Sequence, residues 1–301
     1  MTTITASMVK ELREKTGAGM MDCKKALTET GGDLDQAVDE LRKRGQALAD
    51  KRGGRATEEG LIFTASEGDS AVMVELNCET DFVARNEQFN TLGAEVAALV
   101  LANPQVADLD QLQTLDFPKH GKPVAEVVTE AIGKIGENMG IRRFIRVDAG
   151  PQGTHGAIFS YLHPPGKLGV LLVLGAGKAD TLQQEAFTQL GRDLAMHVTA
   201  AAPLAIAPDA VNPADLDRER SIYADQAKME GKPEAIIDRI VEGKVGKYLK
   251  DICLLQQAFV KEPDQSVAQW IETAGKQLDD QVTVRRFERF VVGGDQATAQ
   301  A

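Results

Sequence analysis

The chain of 301 residues is poor in several things. Aromatic residues make up 5% of it, with a single tryptophan, so a folded core has to be built from aliphatic side chains. Basic residues are outnumbered, 34 against 45 acidic, for a net charge of −11. A protein that coats nucleic acid needs a basic footprint to displace counterions from phosphate, so no direct nucleic-acid binding is expected. The three cysteines, Cys23, Cys78 and Cys253, form neither a Cys-x-x-Cys pair nor an even-numbered framework. Buried free thiols in a reducing compartment are expected rather than disulfides. No run of about 18 apolar residues is present, so no membrane span is expected. The opening residues MTTITASMVKELREK lack the apolar stretch of a signal peptide, and a cytoplasmic protein is expected.

The motifs of chemistry are also missing. None of the histidines (His120, His155, His163, His197) has a partner at a recognised zinc spacing. Gly175-Ala176-Gly177-Lys178 lacks the other elements of a phosphate-binding loop, and Gly17-Ala18-Gly19 lacks the third glycine of a dinucleotide fingerprint. No nucleophile elbow occurs. No metal, no cofactor and no catalytic residue is therefore expected, and the chain is not read as an enzyme. What is present is an ordinary globular composition, 43% hydrophobic and 26% charged, in a length suited to about two domains.

Residues 1–55 stand apart, with 11 basic and 9 acidic side chains against 23 and 36 in the remainder. Thr5 is placed to cap a helix bearing Met8, Val9 and Leu12, which Gly17 and Gly19 break. Met21 to Leu27 reads as a second helix, ending near Gly31-Gly32. Asp33 with Gln36 resembles a capping box ahead of the stripe Leu34, Ala37, Val38, Leu41. Three short helices with a thin core are expected, followed by a flexible basic linker at Lys51–Arg55. Met20 and Met21 either fill core gaps or form an adaptable contact surface. Being adjacent, they cannot both point inward.

The rest of the chain contains a repeat. Gly60-Leu61-Ile62-Phe63 recurs as Gly156-Ala157-Ile158-Phe159, 96 positions on. The alternating strand residues Val72, Val74 and Leu76 recur as Val170, Leu172 and Leu174, now at 98, which implies a hairpin loop longer by two. Phe89, Leu92, Gly93, Val96, Ala97 and Val100 match Phe187, Leu190, Gly191, Leu194, Ala195 and Val198, again at 98. Val124, Ala125, Val128, Ala131 and Ile135 match Val267, Ala268, Ile271, Ala274 and Leu278 at 143, as do Ile141-Arg142-Arg143-Phe144 and Val284-Arg285-Arg286-Phe287. Two copies of hairpin, helix, helix, strand make an α+β protein, each copy a small antiparallel sheet covered by helices. The jump in offset places about 45 extra residues after Pro203. Ile236, Ile237, Ile240, Val241, Val245, Tyr248, Leu249 and Ile252 form a helical stripe there, preceded by Leu216–Met229 across a Gly231-Lys232-Pro233 turn. This is an inserted antiparallel helical hairpin, either a coiled-coil-like projection for association or a pair packed on its own domain.

Two local features stand out. Asn77-Cys78-Glu79-Thr80-Asp81-Phe82-Val83-Ala84-Arg85 links a strand to a helix. Thr80 can cap that helix and Asp81 suits its positive end. Its counterpart, Gly175–Lys178, has neither the acid nor the aromatic, so the shared fold does not require them. His197 stands where the first copy has Leu99, and reads alone as a satisfied or exposed helix histidine. One competing class is an enzyme using Asp81 and His197 as acid and base; another is a scaffold binding a partner through the N-terminal bundle.

Long segments, in order, resemble the bacterial translation elongation factor Ts family. Leu12–Leu27 (LREKTGAGMMDCKKAL) is similar to its first signature, on a ubiquitin-associated-like three-helix domain, and Glu75–Phe89 (ELNCETDFVARNEQF) to its second. Ala195–Pro203, Glu230–Asp251 and Leu254–Pro263 also resemble family segments, so the likeness spans residues 1–292. It implies a UBA-like domain with linker at 1–55 and a core subdomain at 56–148. A second core subdomain follows at 149–203 with 250–292, and a dimerisation or coiled-coil hairpin at 204–249. It implies a guanine nucleotide exchange factor for elongation factor Tu, with no membrane or nucleic-acid partner and a homodimer through 204–249 as one option. Asp81 and Phe82, with Thr80 and Val83, would dislodge Mg²⁺ in the GTPase. Arg13, Met20, Met21 and His197 would make the other contacts. Family members continue past the second Arg-Arg-Phe strand into an acidic segment and a contacting helix. Here only GGDQATAQA follows Val292, so 293–301 is expected to be a disordered tail and that contact absent or reduced.

Overall fold

A computed structural model describes residues 3–151, 153–294 and 296–300. Its contacts divide the chain into two units, residues 1–63 with 74–145, and residues 64–73 with 146–301. No helix among the described residues is long and apolar enough to cross a membrane.

The first unit begins with α1 (Ala6–Thr16), α2 (Met20–Glu29) and α3 (Leu34–Arg52). The capping expectations hold: the Thr5 side chain accepts from the Met8 N–H and the Asp33 side chain from the Gln36 N–H. Gly17 ends α1 at φ 70°, a left-handed conformation that glycine adopts without steric cost. The core is thin, formed by Val9, Leu12, Cys23, Ala26, Leu27 and Ala37. Helix α3 continues past this core to pack on a later helix, α7. The linker expectation is corrected accordingly. Lys51 and Arg52 complete α3, and Arg52 and Arg55 both pair with Glu79, at 2.9 and 3.0 Å, so the basic stretch is tied down.

The chain then forms β1 (Glu59–Glu67), β2 (Ser70–Cys78), α4 (Asp81–Ala84), α5 (Glu87–Ala102) and α6 (Leu109–Thr114). The two-residue strands β3 (Asp116–Phe117) and β4 (Lys122–Pro123), then α7 (Val124–Ile135) and β5 (Met139–Asp148), complete the first copy. Its sheet order is β1-β2-β5. Helices α3 and α7 meet at glycines: a Cβ on Gly133 would lie 2.6 Å from the Gly45 Cα. Arg42 of α3 pairs with Glu126 of α7 at 2.9 Å.

The second unit repeats the order with β6 (His155–His163), β7 (Leu168–Ala176) and α8 (Glu185–Ala201). The hairpin helices α9 (Pro213–Met229) and α10 (Glu234–Ile252) are inserted next. Then come β8 (Ala258–Phe259), β9 (Glu262–Ser266), α11 (Val267–Leu278), β10 (Val282–Val291) and β11 (Gln296–Gln300). The sheet order β6-β7-β10 matches the first copy, with β11 added on the far side of β10. The connection between β6 and β7 runs over 164–167, against 68–69 between β1 and β2, which accounts for the two-residue shift in offset.

The repeat has a packing signature. The Phe63 ring occupies the space a Cβ would take on Gly93, and the Phe159 ring does the same at Gly191. Each ring also meets the first phenylalanine of the same helix: Phe63 and Phe89 are 6.2 Å apart, Phe159 and Phe187 5.6 Å. Equivalent arginines each neutralise a fully buried glutamate, Arg143 with Glu75 and Arg286 with Glu288, both at 2.7 Å.

Two expectations about the second unit resolve differently. The inserted hairpin closes on its own stripe of Ala227, Ile237, Val241 and Val245, supported by Leu216, Tyr223 and Leu249. The tail expected to be disordered is corrected: residues 296–300 pair antiparallel with β10, while 295 and 301 lie outside the described residues. The reason is that the edge of β10 offers unpaired backbone groups to any extended segment. Ala299 is buried on this edge, and the Thr298 hydroxyl and Gln296 amide both donate to Glu288.

Candidate functional site

The candidate site is built where β2 runs out. Cys78 is buried, and the chain turns through Glu79 and Thr80 into the single turn of α4. Thr80 is extended at φ −131° and its hydroxyl accepts from the Val83 N–H at 3.4 Å, an N-cap. Val83 and Ala84 are buried and anchor the turn. Asn86 then caps α5, its side chain accepting from the Gln88 N–H at 2.8 Å. The consequence is that Phe82 is left 81% exposed. Asp81 beside it pairs with Arg85 at 2.9 Å on the surface, a weak and solvent-screened link.

Two carboxylates fasten this turn. Glu137 accepts from the Thr80 backbone N–H at 3.0 Å and from the Thr80 hydroxyl at 2.7 Å. Glu79 accepts from the Asn138 N–H at 2.7 Å and pairs with Arg52 and Arg55. The Asn138 hydrogen bond, with the two arginines, holds the Glu79 carboxyl down at about 2. Burial, with the nearby Glu137 charge, pushes the Cys78 thiol up to about 12. Cys78 is therefore expected to stay unreacted with a thiol-alkylating reagent at pH 8 while the protein is folded. Labelling of intact protein by mass spectrometry checks this; modification at the rate of a free thiol contradicts it.

The N-terminal candidates lie on the same unit. Met20 and Met21, at the start of α2, are 60% and 75% exposed, so neither fills the core. Arg13 is also exposed.

His197 is a correction. It is fully buried on α8, so the free chain does not present its side chain to a partner. Its Nδ1 accepts from the Val260 N–H at 3.2 Å, and its Nε2 meets the Gln257 Oε1 at 3.0 Å. This fixes the neutral tautomer protonated at Nε2. With both nitrogens engaged inside the unit, His197 is also unfit for acid–base chemistry on an external substrate. Sequence could not show this, because the partners Gln257 and Val260 lie about 60 residues away. What His197 holds in place is Val260, whose own side chain is exposed.

Burial lowers the His197 pKa below the ordinary 6.5. The folded state then binds fewer protons than the unfolded state, so this group's stabilising contribution is complete above pH about 6.5 and is lost as pH falls below it. Wild-type protein is expected to lose melting temperature between pH 7 and 5, and His197→Gln to show a shallower loss. Parallel profiles would contradict the assignment.

Sequence reading missed Glu137 and the Glu79–Arg52–Arg55 group. One signal was available: Glu137 and Asp280 stand at the repeat offset of 143, directly before the matched strands.

Comparison with known proteins agrees with this architecture. A family model described as Elongation factor TS matches residues 79–294. The elongation factor Ts of Magnetococcus marinus is 47% identical over 291 residues, covering 96% of this chain and 93% of that protein. That of Trichlorobacter lovleyi is 46% identical over 294 residues, with 96% and 93% covered. That of Rhodospirillum centenum is 46% identical over 299 residues, with 97% and 94% covered. Matched by the family model over most of its length and by these relatives over nearly all of it, the chain belongs to the elongation factor Ts family.

Proposed function

We propose that the chain is a guanine nucleotide exchange factor for elongation factor Tu, with no catalytic chemistry of its own. The observation that carries this is Phe82, an aromatic ring held 81% exposed on a turn with buried anchors on its far side. A large apolar side chain presented rigidly to water is an anchor for a partner's pocket. Asp81 and Phe82 enter near the Mg²⁺ site of the GDP-bound GTPase, with Thr80 and Val83 shaping the turn. Mg²⁺ demands near-ideal octahedral oxygen ligands, so a small displacement of its surroundings weakens it. With less neutralisation of the phosphates, GDP binds less tightly. Factor and nucleotide then oppose each other, and the coupling is reciprocal.

Met20, Met21 and Arg13 grip the nucleotide-binding domain from the N-terminal helices, where flexible thioethers adapt to a partner surface. From the second unit the contact falls to Val260, and His197 acts behind it by holding that backbone. The hairpin presents Ile222, Met229 and Ile236 outward, a surface for a second copy of the chain. Sedimentation that stays monomeric at high concentration would remove that last element.

The test is release of a fluorescent GDP analogue from elongation factor Tu in a stopped-flow instrument, with and without this chain. Acceleration that saturates with the chain's concentration is expected. Stable binding without acceleration would make the chain a scaffold and overturn the reading.

A further inference from the structure

We infer that Glu137 is a positioning residue for the exchange turn, part of a two-carboxylate clamp that joins the N-terminal helices to Asp81 and Phe82. The inference rests on the reading of that turn as the exchange element.

The carboxylates of the clamp accept charge-assisted hydrogen bonds, the stronger kind, two from backbone N–H groups and three from side chains. Glu137 takes the Thr80 N–H and hydroxyl, at 3.0 and 2.7 Å, one to each oxygen. The next residue, Asn138, donates its N–H to Glu79 at 2.7 Å and its side-chain amide to the Arg55 carbonyl at 2.8 Å. Arg52 and Arg55 close the ring on Glu79. Thus the residues on either side of the peptide bond between Glu79 and Thr80 are both held by the Glu137-Asn138 pair. That pair leaves the C-terminus of α7 just past Gly136, and α7 packs on α3, which carries Arg52. A displacement of α3 is therefore transmitted to the two residues before Asp81, to Thr80 through the α3–α7 packing and Glu137 and to Glu79 through its pair with Arg52.

The second copy supplies an internal comparison. Asp280, the counterpart of Glu137, accepts from the Lys178 N–H at 2.9 Å, and Lys178 is the counterpart of Thr80. It also takes the Gly177 N–H at 3.1 Å and the Thr181 hydroxyl at 2.6 Å. A carboxylate holding this junction is thus a device of the repeated fold. Only the first copy adds to it an aromatic on the turn and a tie to the N-terminal helices. A carboxylate one methylene shorter performs the task in the second copy, so Glu137→Asp is the variant that can restore it.

The experiment measures GDP release from elongation factor Tu as a function of factor concentration, for Glu137→Ala, Glu137→Asp, Phe82→Ala and Asp280→Ala. Hydrogen exchange of the peptide spanning 79–86 is followed in each free protein. Glu137→Ala is expected to speed exchange of that peptide and to lower the maximal release rate about 10- to 100-fold, the scale of a misplaced reacting group. The concentration for half-maximal effect should change less, since Met20 and Met21 remain. Glu137→Asp should recover part of the maximal rate. Asp280→Ala should loosen residues 175–181 and leave the maximal rate within about twofold of wild type, because that turn carries no exchange residue. A wild-type maximal rate in Glu137→Ala with loss in Phe82→Ala overturns this inference alone. Wild-type rates in both overturn the exchange reading and the inference with it. If Glu137→Ala does not fold, Glu137→Gln keeps the shape and one acceptor, and a wild-type rate in that variant together with unchanged hydrogen exchange also overturns the inference.

Discussion

Phe82→Ala is expected to fold normally and to lose most of the ability to accelerate GDP release from elongation factor Tu. The folded chain gains little from this ring, which is 81% exposed, while Val83 and Ala84 keep the turn anchored. The melting temperature should therefore stay near that of wild type. Under the proposed function the same ring would be buried in the complex, and full burial of a phenylalanine stabilises by roughly 1.5–3 kcal/mol. Weakening GDP 100-fold requires about 2.7 kcal/mol of coupling, so burial of one ring would be enough for most of it. Release of a fluorescent GDP analogue at saturating Phe82→Ala is expected near the unassisted rate, while Phe82→Trp retains part of the effect. Release at the wild-type accelerated rate by the alanine variant would remove the central element of the proposed function.

Gly191→Ala should be among the most damaging single-methyl additions to the second unit. A Cβ there falls within the Phe159 ring, which itself packs on Phe187 at 5.6 Å. The ring has no room on its inner side, since Phe187 is fully buried in the core formed with Val170, Leu172, Leu190 and Leu194. Overpacking of this kind costs about 1–3 kcal/mol, the ring or the α8 helix having to shift off its minimum. A helix alanine is otherwise favoured over glycine by up to about 1 kcal/mol, so the sign of the effect isolates the clash. Denaturant titration checks it, and the double variant Gly191→Ala with Phe159→Leu should recover most of the loss. An unchanged midpoint for the single variant would show that the ring is free to move, contrary to the packing described.

Much of the fold was legible because the chain repeats itself. Phe63 and Gly93 in one copy, and Phe159 and Gly191 in the other, recur in the same order because each ring needs its notch, although the longer hairpin loop widens the separation from 30 to 32 positions. A pair that recurs in both copies is how sequence records a tertiary contact without showing it. The caps at Thr5, Thr80 and Asp33 were equally legible, since a cap depends only on residues three positions apart. The Asp81-Phe82 turn stood out because the other copy has Ala179 and Asp180 at the matching positions.

The rest depended on neighbours far along the chain. His197 occupies a position that reads as surface or core with equal ease, and Gln257 and Val260 decide it by taking both ring nitrogens. The basic stretch ending in Arg55 looked like a linker because no local residue pairs with it; Glu79, more than twenty residues on, does. The polar 296–300 segment has no hydrophobic pattern of its own, and pairs because the edge of β10 was open.

By itself, then, the sequence determined the repeated order of hairpin, helix, helix and strand, the duplication, the helix caps, the inserted hairpin and the presence of the Asp81-Phe82 pair in one copy only. All of these rest on periodicity, short-range capping, or comparison of the chain with itself. Only the tertiary structure decided that Phe82 faces water, that His197 does not, and that Glu137 and Glu79 grip the turn between them. Burial and long-range hydrogen bonding are properties of what the rest of the chain brings alongside, and no local pattern of residues encodes them.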